Sequence, residues 1–205
     1  MGYTHYWDNH TFEIDEDMID DVNRIISKTD VSVRDGNGGS SPCKPILELN
    51  RIVLNAAAPN TGETLNLMGE TPGFHDPEFE CCKPCNEPYD ALVTAVLIRV
   101  AETNPETSIR SDGTFNDDWR AGRELFKESL GREPVCPKDV ALRITSWEND
   151  CASFAHVSEF SQGRFNVYAP LDLRLKTSRA GKSLDFSSRE ETVQWLNDGG
   201  YKEIE

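Results

Sequence analysis

No stretch of the chain approaches the roughly 20 consecutive apolar residues that a membrane-crossing helix needs. Basic residues are in short supply, 21 against 36 acids over 205 residues, for a formal charge of −15. That balance argues against a broad cationic face laid along a nucleic-acid backbone. The opening residues hold no basic segment leading into an apolar one. No secretory leader is therefore expected, and a cytoplasmic location is, in a host cell if the protein is viral. Gly36-Asn37-Gly38-Gly39 is not followed by the Lys-Ser/Thr pair of a phosphate-binding loop, and neither a Gly-x-Ser-x-Gly elbow nor a His-Glu-x-x-His helix occurs. No internal repeat is visible.

What remains is an acidic, globular composition with enough apolar residues, 37%, for one sizeable core. The charge has two functional readings, a partner with a basic surface or adaptation to a salty cytoplasm. Arginine outnumbers lysine 13 to 8, which leans toward the second. Ordinary acidic solubility is the plainer alternative. The acids are dispersed apart from Asp15, Glu16, Asp17, Asp20 and Asp21, which fall on a predicted helix where a solvated face is the simple explanation. Six cysteines, at 43, 81, 82, 85, 136 and 151, read as reduced core residues or metal ligands rather than a disulfide framework.

The first seven residues are ring-rich and predict a strand over 3–7. Asp15 can cap a helix whose apolar positions Ile14, Met18, Ile19, Val22, Ile25 and Ile26 recur at helical spacing. Asp35 to Pro42 reads as a loop, Ile46 to Leu54 and Thr64 to Met68 as strands, and Thr71 to Glu87 as a long irregular stretch. A helix over about 88–103 opens at Pro88 and is apolar nearly all round, so it is expected at the centre of the core. Asn116 or Asp117 is expected to cap the next helix, with Trp119, Gly122, Leu125 and Phe126 inward and Gly131 as its stop. Val140 to Trp147 and Arg164 to Lys176 read as strands, the latter from the alternation of Leu171, Leu173 and Leu175 with charged residues. Ser187 to Glu190 reads as a capping box for a terminal helix. The fold class is α+β, a mixed or mostly antiparallel sheet against the central helix and further helices. Residues 1–131 read as the α+β core, and 132–205 as a β-rich extension whose independence is left open.

Four places carry a resemblance: Gly2-Tyr3-Thr4-His5-Tyr6-Trp7, Cys82-Lys83 with Pro88-Tyr89-Asp90, Ser111-Asp112-Gly113, and Trp119. Over about residues 1–128 the chain resembles a family of small uncharacterised proteins of tailed phages, prophages and some archaeal genomes, for which no activity is established. It departs from that pattern at Asn86-Glu87, where a basic residue is usual, and at Asn55-Ala56, where members tend to show Asn-Gly. Residues from about 130 onward have no counterpart in the resemblance.

Taken as chemistry, those residues can form a Cys/His/Asp constellation. His5 can exchange a proton near neutral pH, and Cys82 near a helix start and Lys83 can hold a lowered pKa and act as nucleophile. Asp90 sits in the first turn of the central helix, and Asp112 can orient the histidine or hold a metal. Tyr6, Lys83, Tyr89 and Trp119 are the accompanying ligand-binding candidates. The competing reading is structural: a satisfied core histidine, a core tyrosine, a helix-dipole aspartate and a common Ser-Asp-Gly turn. A separate metal reading joins His75, Cys82 and Cys85, because Cys-x2-Cys spacing lets two thiolates reach one zinc. With no second Cys-x2-Cys pair in the chain, no cofactor is expected, zinc being the exception to watch.

Three functions follow. The first is a viral or prophage accessory protein that binds a host or viral macromolecule through an acidic surface, as a host-defence antagonist does. The second is a small enzyme or ligand binder with a pocket around His5, Cys82, Asp90 and Asp112. The third is a virion or assembly component, with the oligomeric state left open.

Overall fold

The computed structural model describes residues 3–8, 13–36, 43–69, 79–84, 88–169 and 183–204. Among them are four helices and twelve strands in three antiparallel sheets, an α+β fold. The chain divides into two compact units, Met1–Val140 and Ala141–Glu205. Both are acidic over their described residues, with 22 acids and 13 bases in the first and 8 acids and 4 bases in the second. No helix among the described residues is long and apolar enough to cross a membrane.

The first unit runs β1 (His5–Asp8), α1 (Glu16–Lys28), β2 (Val33–Arg34), β3 (Ile46–Glu48), β4 (Arg51–Ala56), β5 (Leu65–Met68), β6 (Phe79–Cys82), α2 (Tyr89–Thr103), β7 (Ile109–Ser111) and α3 (Arg120–Leu130). Asp15 caps α1 as expected, its carboxylate accepting the Met18 N–H at 2.7 Å. Met18, Val22 and Ile25 then face inward and are fully buried, each contributing roughly 1.5–3 kcal/mol. α2 is the central helix: every residue from Leu92 to Val100 is buried. α1 and α3 pack against it and against each other. Gly122 permits the α2–α3 approach, because an added Cβ there would lie 1.9 Å from the Thr94 hydroxyl.

β1 is the middle strand of the sheet β6-β1-β7, pairing His5 with Cys82 on one side and Ser111 on the other. β4 pairs with β2, β3 and β5 in a second sheet.

Several expectations are corrected. Ile46–Leu54 is not one strand: Leu49 and Asn50 turn the chain, Asn50 with φ +61°, to make the β3–β4 hairpin. The stretch 71–87 contains strand β6, with 71–78 and 85–87 outside the described residues. Neither Asn116 nor Asp117 caps α3; Trp119 occupies that position without a side-chain cap bond, and Asp118 instead closes a turn by accepting from the Thr114 N–H and hydroxyl. Gly131 ends α3 in the left-handed conformation at φ +69°, as anticipated. Asp21 is no part of a solvated face. It is buried and accepts from Arg99 at 2.7 Å and Arg132 at 3.1 Å, while Arg132 also reaches Glu102 at 2.9 Å. The two guanidiniums hold the Asp21 carboxyl below its usual range against the opposing effect of burial.

The second unit comprises β8 (Ala141–Asn149), β9 (Phe154–Phe160), β10 (Phe165–Tyr168), β11 (Ser183–Phe186), α4 (Arg189–Asp198) and β12 (Tyr201–Ile204). Its single sheet has the order β11-β10-β9-β8-β12. Alternation along the strands turns Trp147, Ala155, Val157, Phe165 and Val167 to one face, where they pack with Leu196 of α4 and Tyr201. The cap of α4 is Ser188, one residue later than the box read from sequence, and its hydroxyl accepts the Glu191 N–H at 3.2 Å. The Leu171/Leu173/Leu175 alternation lies outside the described residues.

Candidate functional site

β1 alternates inward and outward, which buries His5 and Trp7 and leaves Tyr6 and Asp8 half-exposed. Tucked between β6 and β7, the His5 ring meets the first turn of α2. There the Asp90 carboxylate stands 2.9 Å from Nε2. An aspartate in that turn also suits the positive end of the helix dipole. The opposite ring nitrogen, Nδ1, lies 3.0 Å from the Ser111 hydroxyl on β7. Trp119, immediately before α3, sets its ring edge against the imidazole with centroids 5.3 Å apart.

Hydrogen bonding at Ser111 decides how the histidine is protonated. Its Oγ accepts from Trp119 Nε1–H at 3.1 Å and from the Gly113 N–H at 2.9 Å. A serine hydroxyl has two lone pairs and one proton, so both lone pairs are committed. The remaining contact requires the hydroxyl to donate to His5 Nδ1, which leaves Nε2 as the ring's N–H donor to Asp90. The hydrogen bonds thereby assign His5 the neutral Nε2–H tautomer, with Nδ1 accepting from Ser111 and Nε2–H donating to the Asp90 carboxyl group.

The chain Ser111–His5–Asp90 has the residue types of a hydrolytic triad, yet the geometry does not supply a nucleophile. An attacking oxygen needs a lone pair aimed at the substrate, and both of Ser111's are taken by N–H donors. His5 is completely buried. The arrangement ties four elements together: β1, the start of α2, β7 and the approach to α3.

A second set of ties lies on the other side of the α2 start. The buried Tyr89 hydroxyl lies within bonding reach of the carbonyls of Leu54 (2.9 Å) and Glu63 (3.0 Å) and accepts the Leu65 N–H at 3.2 Å. The Cys82 thiol donates to the Glu63 carbonyl at 3.3 Å. Asn55 closes the same loop, donating to the Gly62 carbonyl and accepting from the Ala56 N–H. Burial, with Glu63 and Asp90 nearby, pushes the Cys82 thiol far above its ordinary value, and burial likewise raises the Tyr89 phenol. The expected lowered pKa at Cys82 is therefore corrected. Lys83 does not reverse this: it is exposed, and its backbone N–H donates to the Glu63 carboxylate at 2.8 Å.

Asp112 is also reassigned. The groups on the imidazole are Asp90 and Ser111, while the exposed Asp112 accepts from the Tyr6 phenol at 3.2 and 3.3 Å. Of the sequence-derived residues, His5, Cys82, Tyr89, Asp90 and Trp119 are brought together inside the unit; Tyr6, Lys83 and Asp112 lie at its surface. For the metal reading, His75 and Cys85 are outside the described residues, and Cys82 is engaged with a carbonyl. Among the described residues no group of three or more His, Cys, Asp or Glu is placed to hold a metal. Cys136 donates within its own turn and is pushed up to about 12 by burial.

Sequence reasoning missed Ser111, Asn55 and the Asp21–Arg99 pair. Arg99 carried a signal, a lone cation inside an otherwise apolar helix. Ser111 stood in the Ser-Asp-Gly motif, but nothing local revealed its role, which depends on donors from Trp119 and Gly113 and an acceptor on His5. Comparison with protein-family models, with curated proteins and with solved structures finds no match.

Proposed function

We propose that the protein works by binding a macromolecule with a basic surface through the acidic exterior of its first unit. The carrying observation is the excess of acids over bases in that unit, 22 against 13 among its described residues. Glu16, Asp17 and Asp20 on α1, Asp117 before α3, and Glu124 and Glu128 on α3 are exposed. Because α1 packs on α3, these carboxylates belong to neighbouring elements. Such a surface draws a cationic partner by long-range attraction, and it can occupy a groove built for nucleic acid. A viral or prophage origin, action against a host or viral macromolecule and a cytoplasmic setting belong to the same proposal. They rest on the resemblance of the opening motif and on the charge. The enzymatic alternative loses support because the grouped His5, Cys82 and Asp90 are engaged internally.

The test is affinity capture with the full chain as bait at about 50 and about 500 mM salt, concentrations that bracket physiological screening. Alongside it runs a variant carrying Glu16→Gln, Asp17→Asn, Asp20→Asn, Asp117→Asn, Glu124→Gln and Glu128→Gln. A specific partner is expected at low salt, shed at high salt and captured poorly by the variant. A captured set unchanged by both salt and neutralisation would sink the proposal.

A further inference from the structure

The Ser111 hydroxyl stands at a junction with no spare capacity. It accepts from the Trp119 indole N–H at 3.1 Å and from the Gly113 N–H at 2.9 Å, and its one proton goes to His5 Nδ1 at 3.0 Å. Two lone pairs and one proton are then fully used. That balance holds only while Nδ1 is bare. A proton added there turns the acceptor into a third donor, aimed at an oxygen that can receive two. The ring is completely buried, away from solvent, and a buried N–H without an acceptor bears its full desolvation cost. On the far side of the ring, Nε2–H donates to Asp90 at 2.9 Å in either form. The Asp90 contact therefore tolerates the extra proton, and the Ser111 contacts do not.

Of the two donors on Ser111, Trp119 is the one able to yield. Gly113 is wedged in place: a Cβ built there would lie 2.9 Å from Asp118 Cβ and 3.1 Å from the Tyr3 ring. Its N–H also belongs to the same tight turn as Ser111. Trp119 reaches across from another element through the longer bond, and it precedes α3 with no side-chain cap bond to hold it. We infer that protonation of His5 releases the Trp119 indole from Ser111, a proton-driven switch between β1 and the start of α3. Histidine suits this task because its ordinary charge change falls between about pH 5 and 8. Asp90 of α2 contacts Nε2, Cys82 of β6 pairs with His5 in register, and Tyr89 lies beside that thiol. Burial raises both Cys82 and Tyr89, so they stay neutral over that range. The Tyr3 phenol is raised by its bond to Asp118; burial opposes ionisation of Asp118, yet bonds from Thr114 and Tyr3 hold it below its ordinary value. Arg123 of α3 turns its guanidinium to the carbonyls of Phe115 and Asn116. Release of the indole loosens the first turn of the helix that carries the exposed Glu124 and Glu128. That last consequence rests on the acidic-surface reading above; the switch itself does not.

The test is nitrogen-15 NMR on the full chain, without any partner, titrated from about pH 8 to about pH 5, the interval in which histidine ordinarily changes charge. Loss of one indole signal in Trp119→Phe assigns that resonance, and Trp147 and Trp195 of the second unit serve as internal references. The Trp119 indole proton is expected to move upfield and exchange faster with water. This shift should share its midpoint with proton uptake at His5 Nδ1, and raising the pH should reverse both. In Ser111→Ala the indole has lost its acceptor, so its signal should stay at the acid position throughout. An Nδ1 that remains bare down to the acid end would overturn the inference. So would an indole signal that stays still while Nδ1 gains its proton, a shift of the Gly113 amide in its place, or collapse of the whole dispersed spectrum. Because no partner is present, failure here is distinct from failure of the acidic-surface reading.

Discussion

The two units solve the problem of specifying a structure in different ways. Among the described residues, nine buried polar or charged side chains lie in the first: His5, Asp21, Asn55, Asp90, Thr94, Arg99, Asn104, Thr107 and Thr114. The second has one, Thr192. The second unit is held by alternation, with apolar residues on one sheet face closing over Leu196 and Tyr201. The first is pinned by side chains that reach across elements distant in sequence, such as His5 to Asp90 and Asp21 to Arg99. Apolar packing tolerates small shifts, whereas a buried polar group left without its partner incurs its full desolvation penalty. Pins therefore fix geometry, and they make their unit the more fragile to single substitutions.

The largest expected effect is at the most connected pin. Asp90→Ala removes the acceptor for His5 Nε2–H and should destabilise the protein by about 3 kcal/mol in urea unfolding, the upper end for leaving a buried donor unsatisfied. Asp90→Asn retains an acceptor oxygen and should cost much less. Equal losses for the two would show that the carboxylate's hydrogen bond is not what matters. Gly122→Ala comes next, at about 1–3 kcal/mol, from forcing a methyl group against Thr94 where α2 and α3 touch. A neutral result there would mean the helices separate freely.

An alkaline loss of stability is the third expectation. Cys82 and Tyr89 are both raised in the folded state. The stability tied to their neutral forms is thus complete below their unfolded values and declines as pH climbs above them, from about 8.5 for the thiol and about 10 for the phenol. Melting temperature followed from pH 7 to 11 should fall, and Cys82→Ala should remove the earlier part of that fall. The depressed Asp21 acts in reverse, its contribution disappearing below about pH 4. The smallest effect is reserved for the second unit: Ser188→Ala should cost about 1 kcal/mol through loss of the α4 cap. Should that single cap matter as much as Asp90, the contrast between the units would be wrong.

Legibility in the sequence followed the same division between local and distant causes. Asp15 ahead of Met18, Val22 and Ile25 announced α1, and the unbroken apolar run after Pro88 announced α2. The nearness of His5 to the Pro-Tyr-Asp corner was also anticipated from the shared motif, and the 2.9 Å contact realises it. β6 was not legible: four residues, Phe79–Cys82, in a proline- and cysteine-rich stretch become a strand only because β1 supplies a partner more than seventy residues away. Asp21 looked like one acid among five, since nothing near it in sequence reveals Arg99 on another helix. Cys82 was misread for a related reason. Proximity to a lysine and a helix start suggests a thiolate, but complete burial beside carboxylates decides the opposite. Catalytic residue types in one place were legible; the saturation of Ser111 by two N–H donors was not.

Long-range nitrogen-15 NMR of the imidazole ring of His5 is the most direct measurement of whether this cluster is a joint rather than a reactive site. A single, locked Nε2–H tautomer, with Nδ1 accepting a hydrogen bond and the signal lost in Asp90→Ala, is the expected result. An Nδ1–H form, or rapid averaging between tautomers, would contradict it and return Ser111 and His5 to the list of groups free to react.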